Sequence, residues 1–151
     1  GQGNAREKGR AGRANVGVTI DFAHVLYADE MPAYAVALAA RSSKLFGVHL
    51  NDGYGKRDDG LMVGTVHPIQ TLELLFTLEQ INYSRPIYFD TFPDTTGLDP
   101  VAECSANIAT VEALRKAVRK LRADNRLAAA IAAQDAVTSN NIVRTALYGA
   151  A

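Results

Sequence analysis

The stretch KLFGVHLNDGYGKRDDGLMVG, residues 44–64, carries the strongest indication of the fold. An apolar run leads into His49, is followed by Asn51 and Asp52, and gives way to a glycine-bearing loop that contains Asp58. An apolar run that ends in polar residues and a glycine-rich loop is typical of a buried strand followed by a turn. The segments on either side follow the same order, so we predict a repeated unit of strand, polar tip, loop and helix.

Two further apolar runs, at residues 16–20 and 86–89, predict the strands before and after this one. Pro32, Pro68 and Pro100 each precede a helix-forming segment, and proline is favoured in the first turn of a helix. Strands that alternate with helices form parallel sheets with right-handed crossovers. We therefore predict an α/β fold of about three βα units, followed by further helices.

The helical segments also predict caps and a buried face. Asp99 and Ser139 are residues that commonly cap helices, so we expect each to begin one. An apolar stripe with spacings of three and four runs through residues 101–121 and includes Cys104, which we expect to lie in the core. The other helices are predicted at residues 32–41, from 68 onward, at 127–136 and at 139–148.

Composition narrows the class of protein. The chain has 151 residues with 16 basic and 16 acidic side chains, so its charge does not favour nucleic acid or a membrane surface as a partner. A single cysteine excludes an intrachain disulfide and a thiolate zinc cluster, and fits a cytoplasmic location. No apolar run of about 18 residues predicts a membrane span, and no secretory leader is expected.

We predict three parts along the chain. Residues 1–14 carry four basic residues, four glycines and no large apolar side chain, which indicates a flexible leader. Residues 15–122 hold the strand–helix units, and residues 123–151 form a helical extension.

Each predicted strand ends in a residue that can bind a metal: Asp21, His49 and Asp90. Ligands of parallel α/β folds bind at the carboxyl ends of the strands, so we expect the three to converge on one side of the sheet. Carboxylate and imidazole ligands suit Mn²⁺, Mg²⁺, Co²⁺ or Zn²⁺. His24 and Asp58 follow two of these tips and are candidates for a second metal or a metal-bound water.

Some polar residues here are assigned no such role. We expect Asp59 to be only solvated, and His67 to be a loop residue and not a ligand. Any one Asp or His at a strand end is more often a turn former or a structural group. The metal interpretation therefore depends on the coincidence at three successive tips.

Three local patterns resemble the xylose isomerase-like TIM barrels, which include sugar isomerases and epimerases: DFAH at residues 21–24, HLND at 49–52 and DDGLMVG at 58–64. Within this family, the patterns resemble those of the rhamnose isomerase-like branch. The resemblance implies that the strands are the sixth to eighth of a (β/α)8 barrel, so that the chain is its C-terminal part. It also implies a homo-oligomer and a monosaccharide or sugar-phosphate substrate.

The resemblance implies roles for individual residues. Asp21, His49 and Asp90 match the ligands of one metal, and His24 and Asp58 match the positions of a second, catalytic metal. Asn51 and Asp52 are the expected substrate-binding residues. The implied reaction is the interconversion of an aldose and a ketose, or epimerisation next to the carbonyl.

The sequence departs from the family pattern in two places. The usual second acid of the loop corresponds to Gly60, which weakens the second metal position. No glutamate from a fifth strand is found, so we expect a truncated enzyme, a fragmentary sequence or a chain that needs a complementing chain to supply the missing strands.

Two alternatives stay open. An endonuclease IV-like nuclease shares the barrel and similar motifs, but it would need an Asp-x-His pair in the loop after His49. It would also need a basic groove, whereas 12 basic and 15 acidic residues remain once the leader's four and one are subtracted. The other alternative is a non-catalytic remnant or assembly module, in which the long helix and the helical tail serve subunit contacts.

Overall fold

The computed structural model describes residues 15–92 and 98–149. Its elements are β1 (Val18–Asp21), α1 (Phe22–Tyr27), α2 (Pro32–Ser42), β2 (Leu45–Leu50), α3 (Pro68–Gln80), β3 (Ile87–Phe89), α4 (Pro100–Ala123), α5 (Asn125–Ala132) and α6 (Ala136–Tyr148). The strands form one parallel sheet in the order β1-β2-β3. The prediction of an α/β fold with three parallel strands is confirmed, and the arrangement is consistent with part of a TIM barrel.

The register of the sheet brings the strand ends level with one another. Asp21 is the partner of His49 across β1 and β2, and His49 is the partner of Tyr88 across β2 and β3. The pairing continues one step past β3, where the Asp90 N–H donates to the Leu50 carbonyl at 3.0 Å. Polar residues that end neighbouring strands are therefore neighbours in space.

The core lies between the sheet and helices α2, α3 and α4. Val48 and Leu50 of β2 are fully buried, and Leu74 of α3 and Val118 of α4 belong to the same apolar cluster. Each such side chain contributes roughly 1.5–3 kcal/mol on burial. The middle strand is thus fixed from the helix side, and its other face carries His49.

The predicted starts of three helices are confirmed. Pro32, Pro68 and Pro100 each occupy the first position of a helix, where the missing N–H breaks no bond. Asp99 caps α4 by accepting a hydrogen bond from the Val101 N–H at 2.9 Å. Within the described residues, no helix combines the length and apolar character needed to cross a bilayer.

Two strands begin later than predicted, and one helix was not predicted. The first strand begins at Val18 and not at residue 16, because the first bond to the next segment is from the Val18 N–H to the Lys44 carbonyl. The third strand begins after Pro86, which has no N–H for the ladder. Helix α1 was not predicted; Asp21 caps it through the His24 N–H at 3.0 Å.

The prediction that Cys104 lies in the core is wrong, since the residue is exposed. The stripe holds from Val111 to Leu121, but at the start of α4 the buried face turns to Glu103 and Asn107. The reason is that this end of the helix covers loop backbone: Asn107 Oδ1 accepts a hydrogen bond from the Val63 N–H at 2.8 Å.

The last helices are shifted from their predicted bounds. Helix α5 ends at Ala132, before a left-handed residue at Gln134 with φ of 55°. Ser139 does not cap the last helix; Asp135 does, through the Thr138 N–H at 2.9 Å. The division at residues 122 and 123 stays a prediction, and the leader at residues 1–14 lies outside the described residues, as does part of the loop before α4.

Candidate metal centre at the carboxyl ends of the strands

Asp21, His49 and Asp90 meet at the carboxyl edge of the sheet, with one ligand atom of each lying within 4.8 Å of the others. His49 Nδ1 lies 3.2 Å from Asp90 Oδ2 and 3.5 Å from Asp21 Oδ2. The side chains are 15% exposed at Asp21, 36% at His49 and 40% at Asp90. The cluster is therefore held by the sheet and is open on its outer side.

Local structure fixes two of these side chains. Asp21 Oδ1 accepts the capping hydrogen bond of α1, which leaves Oδ2 facing His49. The ring of His49 meets the ring of Tyr88 edge-on, with centroids 5.7 Å apart at 74°. A carboxylate held by a helix cap and an imidazole held by a neighbouring ring need little reorganisation to bind an ion.

His24 and Asp58 lie beside this cluster. His24 Nδ1 is 3.1 Å from Asp21 Oδ1, and its Nε2 is 3.9 Å from Asp58 Oδ2. The His24 side chain is 60% exposed, whereas that of Asp58 is 18% exposed. The structure thus brings all five predicted metal-site residues to one edge, three of them as a compact group.

Asn51 is fully buried and links the start of α1 to the loop that carries Asp58. Its Oδ1 accepts a hydrogen bond from the Ala23 N–H at 3.0 Å, and its Nδ2 donates to Asp58 Oδ1 at 3.3 Å. The amide therefore fixes Asp58 relative to the start of α1. Its role as a substrate-binding residue stays a prediction.

Asp52 is also fully buried, beneath the loop that follows β2. Its Oδ2 accepts hydrogen bonds from the N–H groups of Val66 and His67, both at 2.8 Å. Its Oδ1 accepts from the Gly53 N–H and lies 2.8 Å from His67 Nδ1. Four protein partners around one carboxylate indicate that Asp52 holds the loop closed, and direct contact with a substrate stays a prediction.

His67 is the partner that sequence reasoning missed. It immediately precedes α3, and its ring is 22% exposed against the buried Asp52 carboxylate. A buried carboxylate needs donors, and a histidine directly before a helix-opening proline lies where a loop returns to the core. Only the position of His67 before the proline could be seen in the sequence, since the burial of Asp52 has no local signal.

The expectation that Asp59 is only solvated is wrong. Its side chain is 10% exposed, and it accepts hydrogen bonds from the Tyr54 N–H at 2.8 Å and from Arg57 Nε at 2.7 Å. The Tyr54 N–H, and then the Arg57 guanidinium, hold the pKa of Asp59 below its usual range. Asp59 therefore closes a tight turn next to Asp58.

Glycine is favoured at residue 60 by the backbone conformation and by a neighbouring side chain. Its φ is +58°, and a Cβ there would lie 2.3 Å from Cγ and Cδ2 of Phe92. The Phe92 N–H donates to the Gly60 carbonyl at 2.9 Å, so the two residues are also joined through the backbone. The aromatic ring fills the space that a side chain at residue 60 would enter.

The compact group fits a divalent cation by its chemistry. Two carboxylates and one imidazole are the mixed oxygen and nitrogen donors that first-row divalent ions accept. In the part of the chain that the structure describes, Asp21, His49 and Asp90 are the only group of three or more such side chains close enough to share an ion. These three residues would hold it.

Residues 8–130 match the family described as xylose isomerase-like TIM barrel. The match covers most of the chain, so this protein belongs to the xylose isomerase-like TIM barrel family. The family includes sugar isomerases and endonuclease IV-like enzymes and is generally metal-dependent. No curated protein matches the chain significantly.

Proposed function

We propose that this chain forms part of a divalent-metal-dependent sugar isomerase or epimerase that interconverts an aldose and a ketose. The observation that carries the proposal is the convergence of Asp21, His49 and Asp90 within 4.8 Å in a member of this family. The proposed substrate is a monosaccharide or a sugar phosphate. The rhamnose isomerase-like branch is part of the proposal.

Three residues would hold the ion, and their neighbours would handle the substrate. A bound divalent cation supplies Lewis acidity toward adjacent sugar oxygens. His24 is the most exposed of the polar side chains at this edge, and its Nε2 is oriented toward Asp58 Oδ2 at 3.9 Å. We assign proton exchange with the substrate to His24 Nε2 and the neighbouring Asp58 carboxylate, with Asp21 Oδ1, 3.1 Å from His24 Nδ1, orienting the ring.

The proposal also concerns the strands that a complete barrel would need. Within the described residues the sheet ends at β1 and β3, and three strands cannot close a barrel. We propose that further strands complete the site, from a longer form of this chain or from a complementing chain. Isomerase activity is expected only with those strands present, whereas ion binding needs only the tips of β1, β2 and β3.

The nuclease alternative is less well supported. It requires a histidine in the loop after β2 that is free to bind an ion. The histidine that follows this loop, His67, directs its Nδ1 to the buried Asp52 carboxylate. The loop itself, residues 51–66, contains no histidine.

Titration of the purified chain with Mn²⁺ or Co²⁺ by calorimetry tests the metal centre. We expect binding that weakens at least about 100-fold in His49→Ala, which loses a ligand atom, and in Asp90→Asn, which loses the negative charge of its ligand. Asp135→Asn is the matched control, since the same change at a distant helix cap leaves the cluster intact. Absence of binding by the unaltered, folded chain would contradict the proposal.

The substrate class is tested separately. The chain, with a complementing chain where one is found, is incubated with rhamnose, lyxose or ribose, and ketose formation is followed. Cleavage of DNA at an abasic site in the parallel assay would support the nuclease instead. Ion binding with neither activity in a completed barrel would favour the assembly module.

A further inference from the structure

We propose that the chain binds one divalent cation, at Asp21, His49 and Asp90, and that Gly60 together with Phe92 excludes a second one beside His24 and Asp58. This inference rests on the proposed function, because it concerns the same metal centre. It sets the number of ions that the centre uses.

His24 and Asp58 are close enough to suggest a second ion, with 3.9 Å between Nε2 and Oδ2. Their other polar atoms are engaged: His24 Nδ1 is 3.1 Å from Asp21 Oδ1, and Asp58 Oδ1 accepts hydrogen bonds from Asn51 Nδ2 and the Gly60 N–H. Only one nitrogen and one oxygen are left for an ion. Catalytic zinc sites, by comparison, use three protein ligands.

Within the described residues, residue 60 is a position beside Asp58 from which a third ligand could come. The Gly60 N–H lies 3.1 Å from Asp58 Oδ1, so a side chain on this residue would start next to Asp58. That space is filled by the Phe92 ring, 2.3 Å from the position of a Cβ. The Phe92 ring therefore occupies the space that a ligating side chain on residue 60 would need. The ring cannot act as the ligand itself, because it has no lone pair to offer a divalent ion.

The backbone of Gly60 does not itself forbid an acidic side chain. Its φ of +58° is in the left-handed region, which aspartate and asparagine tolerate better than other residues with side chains. Removing the ring should therefore allow an aspartate at residue 60. The exclusion of the second ion is thus attributed to the pair of Gly60 and Phe92, and it can be reversed.

The test counts Mn²⁺ ions per chain by native mass spectrometry and equilibrium dialysis of the full 151-residue chain. We expect one ion per unaltered chain and one in Phe92→Ala. We expect two, a twofold increase, in the double variant Gly60→Asp/Phe92→Ala. Circular dichroism confirms that each variant is folded before ions are counted.

The outcomes separate this inference from the proposed function. Two ions in the unaltered chain, with one lost in Asp58→Asn, would overturn the single-ion assignment and leave the metal-dependent function standing. One ion in a folded double variant would overturn the role of Gly60 and Phe92. No ion in the unaltered chain would overturn the proposed metal centre itself, and the single-ion assignment with it.

Discussion

Asp52 and His67 are fifteen positions apart in the chain, and their side chains meet with 2.8 Å between Oδ1 and Nδ1. The carboxylate is fully buried and the ring is mostly covered. The other carboxylate oxygen accepts the N–H groups of Val66 and His67. Both ends of the loop after β2 are therefore joined by one side chain, and this loop carries Asp58 to the metal centre.

Asp52→Asn should destabilise the protein by about 2 kcal/mol, because the amide nitrogen that replaces Oδ2 cannot accept hydrogen bonds and the half-buried N–H groups of Val66 and His67 lose their partner. His67→Ala removes only the ring contact and should lower the free energy of unfolding by about 1 kcal/mol. Urea unfolding measures both values.

Asp29→Asn is the matched control for Asp52→Asn. Asp29 is exposed, and its φ of 59° is tolerated by asparagine. The free energy of unfolding of this variant should therefore equal that of the unaltered chain within about 0.5 kcal/mol. Equal, small effects of Asp52→Asn and Asp29→Asn would contradict the structural role of the buried carboxylate.

Asn51 predicts a difference between two substitutions. Asn51→Ala leaves the buried Ala23 N–H unpaired and should lower the free energy of unfolding by about 1–3 kcal/mol. Asn51→Asp keeps an acceptor for that N–H but brings a carboxylate against Asp58 in place of a donor. We therefore expect the aspartate variant to regain stability as Mn²⁺ is added, and the alanine variant to regain less.

Thermal unfolding with and without Mn²⁺ measures this difference. Asn141→Ala, at an exposed position of α6, is the control, and Mn²⁺ should raise its unfolding temperature as much as it raises that of the unaltered chain. The same Mn²⁺-dependent recovery in both Asn51 variants would contradict the proximity of residue 51 to the ion-binding edge.

The sequence was sufficient for the order of strands and helices because the signals were local. Proline at residues 32, 68 and 100 and an aspartate at residue 99 act within one helical turn, and all four positions were predicted correctly. Cys104 failed because helical spacing reports a stripe but not what covers it. The covering partner at the start of α4 is a polar loop, held by Asn107, and no local pattern encodes that contact.

Some contacts of the site could likewise be predicted from the sequence, and others could not. Convergence of Asp21, His49 and Asp90 follows from parallel strands that end in polar residues, so the sequence predicted which residues would be neighbours. The pairing of Asp52 with His67 depends on how a loop closes over fifteen positions, and the placement of the Phe92 ring over residue 60 depends on packing between two loops. Such contacts have no periodic signal in the sequence.

Gly60 and Gly55 provide a matched pair for the packing of Phe92. Both have positive φ, at +58° and +69°, but a Cβ on Gly55 would meet only the Leu26 carbonyl, at 3.7 Å. Gly55→Ala should therefore lower the free energy of unfolding by about 1–2 kcal/mol from backbone strain alone. Gly60→Ala should lower it by about 1–3 kcal/mol more, because the ring must move.

The double variant Gly60→Ala/Phe92→Ala separates the two causes. Relative to Phe92→Ala, adding the alanine at residue 60 should lower the free energy of unfolding only as much as Gly55→Ala does, as judged by urea unfolding. A full effect of Gly60→Ala in the absence of the ring would show that Phe92 does not occupy the space above residue 60.

The cap of α6 predicts a local dependence on pH. Hydrogen bonds from the Thr138 hydroxyl and N–H hold the pKa of Asp135 below its usual range. Because the pKa is lower in the folded chain than in the unfolded chain, this contribution is complete above the unfolded value of about 3.9 and is lost as the pH falls through the lower folded value. Protection of the Thr138 amide from hydrogen exchange, measured by NMR, should decline in that window.

Asp135→Asn should keep the protection of the Thr138 amide and lose its pH dependence, because asparagine also caps helices but does not titrate. Asp135→Ala should lose protection at every pH, and unchanged protection in that variant would show that the side chain does not cap the helix.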